Sequence, residues 1–109
     1  MLIGSVPFHT IQWNEIEKKI YPGESGEAIW QIVQENDIRI RMVEYSAGYK
    51  ADHWCKKGHV IYCVEGEMKT ELEDGRLIDL KKGMVYVVGD NCEAHRSYSE
   101  KGCMLFIVD

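Results

Sequence analysis

From Ala28 onward, apolar residues recur at every second position or fill short continuous runs, the period of extended strands rather than helices. Ala28 to Glu35 and Ile38 to Tyr45 read as strands joined at Asn36-Asp37. His59 to Glu65 and Met68 to Glu73 read as strands joined at Gly66. Asp74-Gly75, between Leu72 and Leu77, is a two-residue hairpin signal because both positions tolerate positive φ. Met84 to Val88, a shorter strand from His95 to Tyr98, and Cys103 to Val108 complete the set. Ahead of them, Thr10 and the segment Ile11 to Lys19 predict a short helix, with a hydroxyl to cap it, early acids and closing lysines. Pro22-Gly23-Glu24-Ser25-Gly26 is a turn or loop. So many short strands with almost no helix predict an all-β barrel or sandwich.

Several strands are apolar on both faces. Val60, Tyr62 and Val64 alternate with Ile61 and Cys63, and the runs Met84 to Val88 and Met104 to Val108 behave the same way. A single sheet would leave one such face wet, so a second layer must cover it. Either the N-terminal segment folds over the outside or a second subunit packs there, and a homodimer is the expectation.

With 109 residues the chain fits one domain, divided here into an N-terminal segment (1–26) and a barrel (27–109). That length buries a core without disulfides. The 18 acidic residues outnumber the 13 basic ones, and the basic doublets Lys18-Lys19, Lys56-Lys57 and Lys81-Lys82 are scattered. No basic stripe exists to bind nucleic acid. The segment Met1 to Pro7 has neither a basic stretch nor an apolar core, so it does not read as a signal peptide, and no apolar run has the roughly 18 residues of a membrane helix. Cys55, Cys63, Cys92 and Cys103 form no CxxC pair. The expectation is a cytoplasmic protein with free or metal-bound thiols.

Chemistry concentrates in two windows. In the first, His53 and Cys55 lie two residues apart, which on an extended strand puts both on one face. Lys56-Lys57-Gly58 reads as a tight turn that returns His59 to the same interior. Imidazole and thiolate are the ligands transition metals prefer. In the second window His95 follows the loop Gly89 to Glu93 and supplies a fourth ligand, with Cys92 as an alternative ligand in that loop. Cys63 lies four residues from His59, roughly 13 Å along a strand, and reads as core. His9 reads as a surface or packing residue and Cys103 as an inert core thiol. Arg39 and Arg41 alternate with apolar residues and read as a solvated strand face, with a clamp on a substrate carboxylate as the sharper alternative.

The first window resembles the first motif of the cupin superfamily, with His53 at the first histidine, Cys55 at the second, His59 at the glutamate and Gly66 six residues later. Gly83, the strand Met84 to Val88, Gly89 and His95 resemble the second motif, without its proline. Asp52-His53-Trp54-Cys55 is similar to the signature of a group of small cupins marked by Asp-His-Cys-Trp. The resemblance implies a single all-β cupin barrel (a double-stranded β-helix, or jelly roll) after a short N-terminal helix. It also implies one metal ion on His53, Cys55, His59 and His95. The donor set suits zinc first, with nickel, iron or copper next, and excludes an all-oxygen magnesium or calcium site. Four ligands on tetrahedral zinc would be structural, whereas a free position would admit a small molecule and dioxygenase- or isomerase-like chemistry. A non-catalytic metal, ligand or redox sensor stands as the alternative, and enzyme status is open at this point.

Overall fold

The computed structural model describes residues 3–109; Met1 and Leu2, the start of the N-terminal segment, lie outside them. Among the described residues the elements are a 3-10 turn (Trp13–Glu15) and nine strands. The strands are β1 (Lys19–Pro22), β2 (Glu27–Glu35), β3 (Ile38–Tyr45), β4 (Tyr49–Lys50), β5 (His59–Leu72), β6 (Leu77–Lys81), β7 (Val85–Val88), β8 (His95–Ser99) and β9 (Cys103–Val108). Every pairing is antiparallel. The larger layer runs β1-β2-β3-β9-β5-β7, and the smaller one runs β6-β5-β8-β4, so β5 belongs to both. The sheet curls on itself around Val43, Ile61, Cys63, Met68, Leu80, Leu105 and Ile107, all buried. This is the expected all-β barrel.

Gly66 is not a turn between two strands. It stands inside one continuous β5, where its φ of +74° and a register shift between Cys63 and Glu65 bend the strand from one layer into the other. An added Cβ would lie 2.4 Å from the Gly102 carbonyl oxygen, so glycine is required there. The Cys63 thiol closes the bend by donating to the carbonyls of Glu65 and Gly66. Asp74-Gly75 does turn β5 into β6, but not as the expected two-residue turn: the loop is Glu73-Asp74-Gly75, closed by the Leu72 N–H donating to the Arg76 carbonyl, and of the two only Gly75 has positive φ, at +95°.

The expected N-terminal helix contracts to the single turn Trp13–Glu15. Thr10 does not cap it; Gln12 occupies the cap position without a side-chain bond. Lys19, meant to close the helix, instead opens β1, whose pairing with β2 supplies backbone partners that a short uncapped helix cannot match. Ahead of β1 the segment is fastened by the Gln31 side-chain amide, which donates to the carbonyls of Trp13 and Ile16.

That fastening covers only the β2 side of the outer surface. On the β5–β7 side Val60, Tyr62, Met84, Val85 and Val87 stay exposed, Val87 at 74%. Tyr62 faces Val85 and Val60 faces Val87 across the ladder, so these residues form one patch. No helix among the described residues is long and apolar enough to cross a membrane.

Candidate metal centre

His59 opens β5 and His95 opens β8, at one end of the barrel. Cys55 reaches them from the preceding loop through an isolated two-bond bridge. Its N–H donates to the His95 carbonyl at 2.8 Å and its own carbonyl accepts from the His95 N–H at 2.9 Å. The main chain thus sets the spacing of two donors. The Cys55 Sγ lies 3.5 Å from His59 Nε2, and His59 Nε2 lies 2.8 Å from His95 Nε2. Both histidines are buried, and the donor atoms of all three residues fall within 4.8 Å of one another.

The other ring nitrogens fix the tautomers. His95 Nδ1 sits 2.8 Å from the Glu93 carbonyl oxygen, and His59 Nδ1 sits 2.9 Å from Asp109 Oδ2. A carbonyl and a carboxylate only accept, so each Nδ1 carries a proton and donates it. In neutral rings both Nε2 lone pairs would then face each other across 2.8 Å. Only a proton or a metal ion between them relieves that repulsion. This arrangement, with Nδ1–H on a carboxylate or carbonyl and Nε2 free, is the supporting shell of metal-bound histidines.

Spacing and charge also suit an ion. Bonds of about 2.3 Å to sulfur and 2.0–2.1 Å to nitrogen at tetrahedral angles separate sulfur and nitrogen by roughly 3.6 Å and two nitrogens by roughly 3.3 Å. The first matches the Cys55–His59 distance; the second asks the rings to part by roughly half an ångström. The neighbouring His59 and His95 side chains outweigh burial and pull the Cys55 thiol down to about 5, so the ligating thiolate is available at neutral pH.

Asp109 is the residue that sequence reasoning missed. Its side chain is fully buried and takes two hydrogen bonds from Arg39 and one from Arg41 besides that of His59. Burial opposes the charge, but these donors win and hold the carboxyl well below the usual carboxylate range. The signal was present: Cys103, Leu105 and Ile107 point inward, and one further step of the same period reaches Asp109. Arg39 and Arg41 do not form a solvated face. Arg41 is 4% exposed, lies over the Trp30 ring and is held inward by its bond to Asp109. The two guanidiniums do clamp a carboxylate, but it is the protein's own.

His53 stands apart from the group. Its side chain is 76% exposed and its Nδ1 lies 2.6 Å from Asp52 Oδ1. The chain bends at Asp52-His53, so the two-residue alternation that would align His53 with Cys55 is lost. Cys92 is exposed, in the loop before His95 and outside the three-residue group. Cys63 and Cys103 are buried free thiols; burial pushes Cys103 up to about 11, as expected of core residues. His9 pairs with Glu35 on the surface.

Neither a family model nor a curated protein matches the sequence. Solved structures do. A predicted oxalate decarboxylase from Thermotoga maritima superposes with TM-score 0.77 at 17% identity, covering 92% of this chain and 96% of that one. Ectoine synthase from P. lautus gives 0.75 at 18% identity over 93% and 76% of the two chains. An RmlC-like cupin from Shewanella frigidimarina gives 0.74 at 19% over 94% and 89%. At these identities the likeness speaks for the fold.

Proposed function

The chain has the cupin fold, and on that basis we propose that it is a metal-dependent protein acting on a small molecule. One divalent transition-metal ion, zinc first by donor chemistry, is held by Cys55, His59 and His95. The observation that carries this reading is the pair of tautomer-fixed Nε2 atoms facing each other beside a low-pKa thiol. Three protein ligands are the number found in catalytic zinc centres, which keep a position for water or substrate; structural centres take four. The bound ion would polarise a substrate oxygen or acidify a water. Asp109 keeps the His59 ring in its ligating tautomer, and Arg39 and Arg41 neutralise that carboxylate.

Neighbours named as a synthase and a predicted decarboxylase are compatible with small-molecule chemistry but select no reaction. Metal analysis by mass spectrometry of untagged protein is the test: about one ion per chain is expected, and metal-free protein after purification without chelators overturns the reading. A redox-sensing role is the second reading, favoured by the partly exposed, acidic Cys55 thiol. Four free cysteines fit a reducing compartment such as the cytoplasm. The apolar patch on β5 and β7 is the surface we assign to a second copy of the chain.

A further inference from the structure

The free edge of a β-sheet is a template for another strand, and proteins ordinarily blunt it with charge, proline or brevity. Among the described residues the two layers end on β1, β7, β6 and β4, and three of these edges are blunted. β1 opens on Lys19 and closes on Pro22, β4 is two residues long and one of them is Lys50, and β6 carries Asp79 and Lys81. β7 is different. It reads Val85-Tyr86-Val87-Val88, with neither charge nor proline, and it pairs with β5 alone.

The ladder with β5 shows which main-chain groups lie on that edge. The Cys63 N–H donates to the Met84 carbonyl, and bonding alternates along an antiparallel pair. The N–H and C=O of Tyr86 and Val88 therefore face β5, and those of Val85 and Val87 face away from it. The same two valines carry their side chains on the outer patch, 55% and 74% exposed. They offer hydrogen bonds along the edge and apolar surface on the face.

The sequence around them is close to a palindrome centred on Tyr86. Val85 mirrors Val87, Met84 mirrors Val88, Gly83 mirrors Gly89, and Lys82 mirrors Asp90 with opposite charge. Two copies related by a two-fold axis at Tyr86 would therefore match along the whole segment, with a lysine opposite an aspartate at each end. Both charged residues are exposed. Lys82 meets Glu65 at 2.8 Å and has further N–H donors, while Asp90 accepts from the Gly58 N–H through Oδ1 and keeps Oδ2.

We propose that β7 pairs antiparallel with β7 of a second copy, Val85 opposite Val87 and Tyr86 opposite Tyr86, joining the larger layers of two barrels into one sheet. The proposal deepens the assignment of the apolar patch to a second copy and rests on it. It adds that the main chain makes the contact, with Val85 of each copy packed beside Val87 of the other.

Light scattering gives the assembly state, and amide hydrogen exchange followed by NMR tests the pairing in the same sample. In the dimer the Val85 and Val87 amides are expected to exchange within about tenfold of those of Tyr86 and Val88, which β5 protects. Fast exchange at Val85 and Val87 in a dimeric protein overturns the edge pairing and leaves a dimer packed face to face. A monomeric protein overturns both. The register has its own test. Lys82→Glu and Asp90→Lys each set like charges opposite one another at both ends of the pairing, so each alone should weaken association by about tenfold. An equimolar mixture should recover it as a mixed dimer, in which both pairs are again opposite in sign. A mixture that associates no better than its components overturns the proposed register.

Discussion

Asp109 Oδ2 lies 2.9 Å from His59 Nδ1 and 2.7 Å from an Arg41 guanidinium nitrogen, so a single carboxylate oxygen couples the metal ligand to a buried cation. Asp109→Asn keeps the shape but removes the charge and places an amide donor beside groups that already donate. Loss of such an outer partner typically weakens metal binding about 10–100-fold. Breaking a buried ion pair also costs stability, on the order of 3–5 kcal/mol. Chelator competition reads the first effect and urea unfolding the second; unchanged affinity would show that Asp109 has no hold on the site.

The three-ligand assignment is checked by single alanine variants of the four sequence candidates. Cys55→Ala, His59→Ala and His95→Ala are expected to lose most of the bound metal, and His53→Ala to keep it. Metal-to-protein ratios decide this, and equal loss in His53→Ala would restore a four-ligand centre.

Stability of the metal-free protein depends on pH through two opposed shifts. The Cys55 value of about 5 lies below the ordinary 9.0, so its contribution is complete above the unfolded value and is lost as pH falls through 5. For His59, burial pulls the value down, but Asp109 and Cys55 raise it above 6.5 overall; its contribution is complete below 6.5 and is lost as pH rises through the folded value. Between 5 and 6.5 only the thiol term changes, and stability climbs. Just above 6.5 the two slopes cancel, and stability flattens. Urea midpoints across this range test the shape; a monotonic fall from pH 5 would contradict it. In the flat range zinc displaces the proton on His59 Nε2 while Cys55 is already ionised, so calorimetry in buffers of different ionisation enthalpy should register release of about one proton.

Gly66→Ala tests the bend in β5. Positive φ costs an alanine roughly 1–2 kcal/mol, and contact with the Gly102 carbonyl adds to it. A loss of about 2 kcal/mol or more is expected in denaturant unfolding; a neutral variant would mean that the strand can straighten.

The exposed patch predicts a dimer. Light scattering should give twice the mass of the chain, and Val87→Lys should give the single-chain mass, because Val87 is the most exposed residue of the patch. A monomeric parent protein removes the proposal.

Period-two patterning located β2, β3, β8 and β9 within a residue or two, and the Asp74-Gly75 hairpin, because these depend on local alternation and turn chemistry. Three features depend on what the chain meets after folding. Lys19–Pro22 becomes a strand through its partner β2. Gly66 reads as a turn until β5 is seen to serve two layers. His53 aligns with Cys55 only if the chain stays extended, and a bend at Asp52-His53 turns it outward. The convergence of Cys55, His59 and His95 was legible from residue type and spacing. The dependence of His59 on Asp109 was not, because it joins positions 50 residues apart.

The placement of β9 between β3 and β5 bears on how the molecule is made. The strand synthesised last among the nine fills the middle of the larger layer, so translation leaves β3 and β5 with unmatched edges until β9 emerges. Pairings this distant in sequence are slow to close, and open edges invite association with other chains. Biosynthesis thus has a vulnerable interval, which ends when Cys103–Val108 docks and brings Asp109 against His59.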